Sequence, residues 1–106
     1  SVATQGVPNP RSYYGMAYDS NRRVVVISGG ETNAGLFQAL GDLWELDGTV
    51  WTKKTPATAV PGRSNHAMTY DANRKLVLSF GGLQNDLQRA SEQLWGWDGS
   101  NWARLY

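Results

Sequence analysis

The chain contains two copies of one motif, and this internal repeat limits the folds available to it more than any other feature. Residues 11–19 (RSYYGMAYD) match residues 63–71 (RSNHAMTYD) at an offset of 52, and the same offset pairs residues 29–30 with residues 81–82. The block DLWELDGTVW, which starts at Asp42, recurs as QLWGWDGSNW at an offset of 51. Two copies therefore cover nearly all of the 106 residues, and a period near 50 predicts two similar supersecondary units.

Each copy predicts four short strands. The strand before the Gly-Gly pair is apolar at nearly every position, so both of its faces should be covered, as happens when sheets stack face to face. Twelve glycines, five tryptophans and five tyrosines fit an all-β chain with tight turns. An α-helical repeat is excluded because the apolar residues lack helical spacing. The predicted strands lie at residues 14–18, 24–28, 42–46 and from Trp51 in the first copy, and at residues 66–70, 76–80, 93–97 and from Trp102 in the second.

Charge and composition exclude several functional classes. The formal net charge is +1 and the lysines and arginines are scattered, which argues against binding to nucleic acid. No apolar run reaches the roughly 18 residues that a membrane span needs. The chain has no cysteine, one histidine and no carboxylate cluster at ligand spacing, so we expect no metal and no cofactor. We expect a secreted or periplasmic location, although the lack of cysteine leaves the redox compartment open.

The joint pattern of the two copies resembles a known repeat. It combines Arg-x-x-His-Ala-Met-x-Tyr-Asp, an apolar strand, Gly-Gly and Leu-Trp-x-Trp-Asp-Gly-x-x-Trp, and it is similar to the bacterial kelch-like repeats of the galactose-oxidase central-domain type over residues 11–106. The resemblance implies an all-β chain of two four-stranded kelch-type propeller blades, at about residues 11–55 and 63–106, within a single unit of residues 1–106. The Asp-box turn of sialidases is rejected because Asp and Gly are adjacent at residues 47–48.

Two blades are too few to close a propeller, because a blade buries both faces only against neighbouring blades. One face of each blade would stay open, and an apolar patch of that size is not tolerated on a soluble monomer. Head-to-tail repetition of the internal junction would close a ring. We therefore expect a homo-oligomer, with six blades from three chains first and eight blades from four chains as the alternative. The residues expected on the open faces include Val24, Val26, Trp44, Leu76, Leu78 and Trp95.

Few residues suggest catalysis. His66 is the only histidine, and its counterpart in the first copy is Tyr14. The kelch resemblance implies that His66 starts the innermost strand and bonds to neighbouring backbone. One histidine per chain also excludes, within one chain, a copper site of tyrosines and histidines like that of galactose oxidase. The repeated Asp19 and Asp71 are expected to be turn residues.

Binding residues are expected where the two copies differ. The loops at residues 31–41 and 83–92 are long for connections within a blade and carry amide, aromatic and charged groups. The resemblance implies that these loops share a face with the entry to the innermost strand, where a polar pocket would suit a peptide or a glycan. The candidate ligand- or partner-binding residues are Arg11, Tyr13, Asn33, Phe37, Arg63, Asn65, His66, Asn85 and Arg89.

The expected function is a non-enzymatic binding or scaffold module that forms an oligomeric β-propeller. Three alternatives stay open at the level of the sequence. They are a carbohydrate-binding lectin that stacks sugars on tryptophan and tyrosine, an enzyme with a central site, and a propeller fragment or engineered building block without a natural ligand. A shared fold does not decide among them.

Overall fold

A computed structural model describes residues 7–8, 10–31, 40–58, 60, 62–64, 66–84 and 92–106. These residues form ten β-strands and no helix. The described chain accordingly contains no helix that is long and apolar enough to cross a membrane. The strands are β1 (Gly15–Asp19), β2 (Val24–Ser28), β3 (Leu43–Asp47), β4 (Val50–Lys54), β5 (Arg63–Ser64), β6 (Ala67–Asp71), β7 (Leu76–Phe80), β8 (Leu83–Gln84), β9 (Leu94–Trp97) and β10 (Trp102–Arg104).

The longer strands form two four-stranded antiparallel sheets. The first sheet has the order β1-β2-β3-β4 and the second has the order β10-β9-β7-β6, while β5 and β8 form a two-stranded ribbon. A bridge between Ser12 and Glu31 occupies the place in the first copy that this ribbon occupies in the second. The all-β class with two four-stranded sheets is therefore confirmed. The strands at residues 24–28 and 76–80 have the predicted bounds. Each of the other long strands begins within one residue of its predicted first residue.

An aspartate holds the turn that follows the first strand of each sheet. Asp19 Oδ1 accepts hydrogen bonds from the backbone N–H groups of Asn21 and Arg22, both at 3.0 Å. Asp71 accepts the equivalent two bonds in the second copy, at 3.0 and 3.1 Å. The first turn then brings Arg23 into the left-handed region at a φ of 62°. These two aspartates are the turn residues that the sequence predicts.

The register assigns the strand residues to two faces of each sheet, because residues paired across neighbouring strands share a face. Inner face 1, on the first sheet, consists of Gly15, Ala17, Asp19, Val24, Val26, Ser28, Leu43, Glu45 and Asp47, with Val50, Thr52 and Lys54 of the edge strand. Outer face 1 consists of Met16, Tyr18, Val25, Ile27, Trp44, Leu46, Trp51 and Lys53. Inner face 2, on the second sheet, consists of Met68, Tyr70, Val77, Ser79, Trp95, Trp97, Trp102 and Arg104. Outer face 2 consists of Ala67, Thr69, Asp71, Leu76, Leu78, Phe80, Leu94, Gly96 and Ala103.

The two inner faces pack on each other and form the core. The buried apolar cluster draws its side chains from both faces, with small residues on the first sheet and aromatic rings on the second. The rings of Trp97 and Trp102 lie 5.5 Å apart and are tilted by 53°. Gly15 permits the close approach of the sheets, since an added Cβ there would collide with the sulfur of Met68. We call this contact the inner junction.

Val26→Asp should abolish the fold. Val26 is 0% exposed in the inner junction, and a carboxylate buried there without a partner costs about 3 kcal/mol or more. We expect circular dichroism to show no cooperative thermal transition. The matched control is Val50→Asp, because Val50 is exposed in β4, and its unfolding free energy should change by less than about 0.5 kcal/mol. A cooperative melt of the Val26 variant near the wild-type temperature would contradict this packing.

Candidate functional site

The sequence-predicted site divides between described residues and residues outside them. Four of the candidates, Arg11, Tyr13, Arg63 and His66, belong to the described residues. They lie at the end of the sheets where the two Gly-Gly pairs follow β2 and β7, which we call the Gly-Gly end. Asn33, Phe37, Asn65, Asn85 and Arg89 lie outside the described residues.

Arg11 ties the segment before β1 to the rest of the first sheet. Its guanidinium forms a two-pronged ion pair with Asp42, at 2.6 and 3.0 Å, and donates to the carbonyl of Gly29 at 3.1 Å. Burial opposes ionisation of Asp42, but hydrogen bonds from Arg11 and from the Trp44 indole outweigh it and hold the pKa of the carboxyl below its usual value. The buried Arg11 side chain is thus engaged in the architecture of the sheet.

Arg63 holds the entry to the second sheet against the first. Its backbone N–H donates to Leu40 at 3.0 Å, and its carbonyl accepts from Gly30 at 2.8 Å. Its guanidinium donates to the carbonyl of Gly81 at 3.3 Å, as Arg11 does to Gly29 in the first copy. The residue is buried, and this burial lowers the pKa of the guanidinium.

His66 is a packing residue of the inner junction. It is 8% exposed, and an added Cβ at Gly29 would lie 2.6 Å from His66 Cε1, which leaves room only for glycine. Burial, together with the positive charge of Arg63, lowers the pKa of the imidazole to about 4, so the ring is neutral at pH 7. Among the described residues no three His, Asp or Glu side chains lie close enough to hold a metal ion.

Tyr13 is the one candidate of the four whose side chain is open to solvent. It is 63% exposed and has a positive φ of 57°, an uncommon conformation for a tyrosine. Its neighbours in sequence are tied down, since Ser12 pairs with Glu31 by two backbone hydrogen bonds of 3.0 and 2.9 Å. The Gly-Gly end therefore presents the Tyr13 ring from a fixed backbone.

A charged network lies in the inner junction, and sequence reasoning did not identify its buried carboxylate, Glu45. Glu45 is buried and accepts from the Trp97 indole at 2.8 Å. It also forms an ion pair with Arg22, at 2.7 and 3.1 Å, and Arg22 binds Asp19 at 2.9 Å. Hydrogen bonding to Glu45 is the leading reason why the pKa of Arg22 is raised. The available signal was a difference between the copies, since Glu45 aligns with Gly96.

Several large hydrophobic side chains of the two outer faces are open to solvent. On outer face 1, Met16 is 59% and Tyr18 is 54% exposed. A pocket of about 460 Å³ opens there, between the entry segment and the sheet. On outer face 2, Phe80 is exposed, and the exposed Leu105 lies over Gly96. The pocket is lined by Pro10, Arg11, Tyr14, Met16, Val25, Ile27, Leu46 and Trp51.

The repeat relates each outer face to the opposite inner face. Met16 and Tyr18 of outer face 1 align with Met68 and Tyr70 of inner face 2. In the same way every position of outer face 2 aligns with a position of inner face 1, so that Ala67, for example, stands where Gly15 does. The outer faces therefore carry equivalents of the two surfaces that the chain already packs together, and they are partly exposed, since Ile27 and Trp44 of outer face 1 are buried.

The predicted list of open-face residues is partly wrong. Val24, Val26 and Trp95 are buried in the inner junction, and Trp44 on outer face 1 is buried as well, whereas Leu76 and Leu78 are half-buried on outer face 2. The apolar pattern identified the second strand as covered on two sides. It could not say which side faces the other copy, because both sides of that strand are apolar.

Stability should fall as the pH drops from about 6.5 towards 4, because of His66. The folded protein holds the imidazole neutral down to a pKa of about 4, whereas the unfolded chain takes up a proton near pH 6.5. The unfolded state therefore binds more protons in this window, and the free energy of unfolding decreases as the pH falls. Thermal melts of the wild type and of His66→Gln between pH 4 and 7.5 measure the effect. In this window the melting temperature of the wild type should fall more steeply with decreasing pH than that of the variant. Equal slopes of melting temperature against pH would refute the assignment.

Comparison with known proteins adds no family to these observations. No protein-family model matches the chain, and no curated protein resembles it at a significant level. The fold and the geometry of its faces are therefore the basis for any statement about function.

Proposed function

We propose that the chain is a two-blade segment of a kelch-type β-propeller that completes a ring with identical chains and serves as a non-enzymatic binding or scaffold module. The observation that carries the proposal is the equivalence of the faces. Outer face 1 is the counterpart of inner face 2, and outer face 2 is the counterpart of inner face 1. A second copy can therefore dock outer face 2 on outer face 1 by repeating the inner junction, in a contact that we call the outer junction.

The exposure of the outer faces supports association. Met16, Tyr18 and Phe80 each leave about half of their side chain open, and they belong to the two faces that would meet. Burying apolar surface is worth about 25 cal/mol per Å², and a contact of two sheets removes on the order of 1,000 Å² from water, enough for a specific interface. Head-to-tail contacts of this kind form closed rings when the rotation between copies divides a full turn.

Residues that would meet in the outer junction largely match those of the inner junction, but the pair at Met16 differs. An added Cβ at Gly15 would collide with the Met68 side chain, so the outer junction, which would place Met16 against Ala67, requires the flexible Met16 side chain to shift. Tyr70 lies near Asp19. Burial is the leading cause of the raised pKa of the Tyr70 hydroxyl, and the Asp19 carboxylate adds to it. The outer faces carry the equivalent pair, with Tyr18 on outer face 1 of one chain and Asp71 on outer face 2 of the next.

A third pair concerns the outer end of the sheets. An added Cβ at Gly99 would lie 2.9 Å from the guanidinium of Arg22, so Arg22 covers that hairpin in the inner junction. An added Cβ at the equivalent Gly48 would meet no atom of the described residues within 4 Å, and the equivalent Arg74 is exposed beside Asp71. Docking of a second chain would bring Arg74 of one chain over Gly48 of the other. This contact would cover the exposed hairpin and bury the exposed guanidinium.

A ring of two-blade chains has an even number of blades. We propose three chains and six blades, because the kelch resemblance implies a ring of six or seven blades and only six of these is even. Four chains with eight blades are the alternative. The ligand-binding surface would be the Gly-Gly end, where each copy presents the exposed Tyr13 ring. An exposed aromatic ring near buried arginines suits a peptide or a glycan better than an apolar molecule.

Leu78→Asp should break the ring. Leu78 lies on outer face 2 between Thr69 and Gly96, where an aspartate would be buried against the next copy. We expect sedimentation to give three times the chain mass of 11.7 kDa for the wild type and a single chain for the variant, with a lower melting temperature. Val50→Asp adds the same charge outside both outer faces and should leave the mass unchanged. A wild-type chain that is monomeric at tens of micromolar and melts cooperatively would overturn the proposal.

Head-to-tail docking also predicts a crosslinking pattern. The chain lacks cysteine, so Met16→Cys and Ala67→Cys each introduce a single thiol on one outer face. A short bis-maleimide should give covalent dimers when the two variants are mixed and allowed to exchange, but not with either variant alone, because equivalent faces never meet in a head-to-tail ring. Dimers of one variant by itself, seen on a denaturing gel, would indicate a two-fold contact instead.

A further inference from the structure

We infer that Glu45 and Trp97, with their counterparts Gly96 and Leu46, determine which sheet faces can pair. As a result, outer face 1 of one chain accepts only outer face 2 of another chain. This inference rests on the proposed ring. The residues form two matched sets: a polar pair inside the chain and a small apolar pair on its outer faces.

The polar pair is tightly built. Trp97 is 0% exposed, and its indole N–H donates to Glu45 Oε2 at 2.8 Å. Arg22 neutralises the same carboxylate at 2.7 Å. The buried carboxylate therefore depends on an indole that comes from the facing sheet, and the indole depends on the carboxylate.

The apolar pair has the reverse chemistry. Leu46 replaces the indole on outer face 1, between Val25 and Trp51. Gly96 replaces the carboxylate on outer face 2, and an added Cβ there would lie 3.0 Å from Leu76 and 3.2 Å from Leu105. These leucines fill the space above Gly96, so the outer junction brings leucine against a leucine-covered glycine and buries no charge.

Exchange of partners between the two sets would be unfavourable. If inner face 1 received outer face 1 of another copy, Glu45 would face Leu46 and lose its indole donor. If inner face 2 received outer face 2, the Trp97 indole would face Leu76 and Leu105 without an acceptor. A buried polar group that loses its partner weakens a contact by about tenfold or more. First and second sheets must then alternate around the ring. This alternation excludes swapped pairings and odd numbers of blades.

The test transplants the polar pair to the outer junction. Leu46→Trp supplies the indole and Gly96→Glu supplies the carboxylate, while Arg74, the counterpart of Arg22, already stands beside Asp71. We expect Gly96→Glu alone to weaken assembly by about tenfold or more in sedimentation equilibrium, because its carboxylate lacks the indole donor from the facing sheet. The double variant should regain most of that loss, with a coupling of at least about fivefold in the double-mutant cycle.

The matched control is Leu46→Phe with Gly96→Glu. Phenylalanine adds an aromatic ring without an N–H donor, so this pair should stay as weak as Gly96→Glu alone. In the wild-type background Leu46→Trp should weaken assembly more than Leu46→Phe, because its indole N–H would be buried against Leu76 and Leu105 without an acceptor. This comparison does not require the Gly96 variant to fold.

The outcomes separate the two proposals. A monomeric, cooperatively folded wild type overturns the ring and this inference with it. A wild type that assembles, with tryptophan and phenylalanine rescuing Gly96→Glu equally or not at all, keeps the ring and overturns the pairing role. Equal effects of Leu46→Trp and Leu46→Phe in the wild-type background also overturn it, because a buried indole N–H without an acceptor would then carry no penalty. Rescue by tryptophan alone supports it.

Discussion

The packing of inner face 1 on inner face 2 is the contact on which the rest of the molecule depends. A four-stranded sheet of this size cannot cover its own apolar residues, so each sheet needs the other. The contact also buries the Glu45 carboxylate, and burial of an ion is unfavourable unless it is paired and hydrogen-bonded. Arg22 and the Trp97 indole meet that requirement. Since Arg22 is in turn fixed by Asp19, the turn after β1 and the sheet contact stabilise one another.

The same motif behaves differently in its two copies because its surroundings differ. Tyr18 is open to solvent, whereas burial and the Asp19 carboxylate raise the pKa of its counterpart Tyr70. The hairpin at Gly99 is covered by Arg22, while no described atom lies within 4 Å of a Cβ added at Gly48. In each case the backbone is alike and only the facing sheet is missing. This pattern of incomplete cover, rather than any single exposed residue, underlies the proposal of a ring.

The Gly-Gly end combines structural and exposed residues, and their division bears on function. Arg11, Arg63 and His66 are buried and hold the entry segments against the sheets. Their side chains support the architecture of this end. Among the described residues, Tyr13 is the candidate binding residue that stays open to solvent.

The sequence by itself determined the all-β class, the two four-stranded units, and the bounds of β2 and β7, because repetition, apolar runs and turn residues act locally. It also identified Asp19 and Asp71 as turn residues, since their hydrogen bonds reach only three residues along the chain. Only the tertiary structure decided which face of each sheet is buried, because both faces of the second strand are apolar and local patterning does not distinguish them. It also decided that Glu45 pairs with Trp97, a contact across 52 residues that exists only when the two sheets stack.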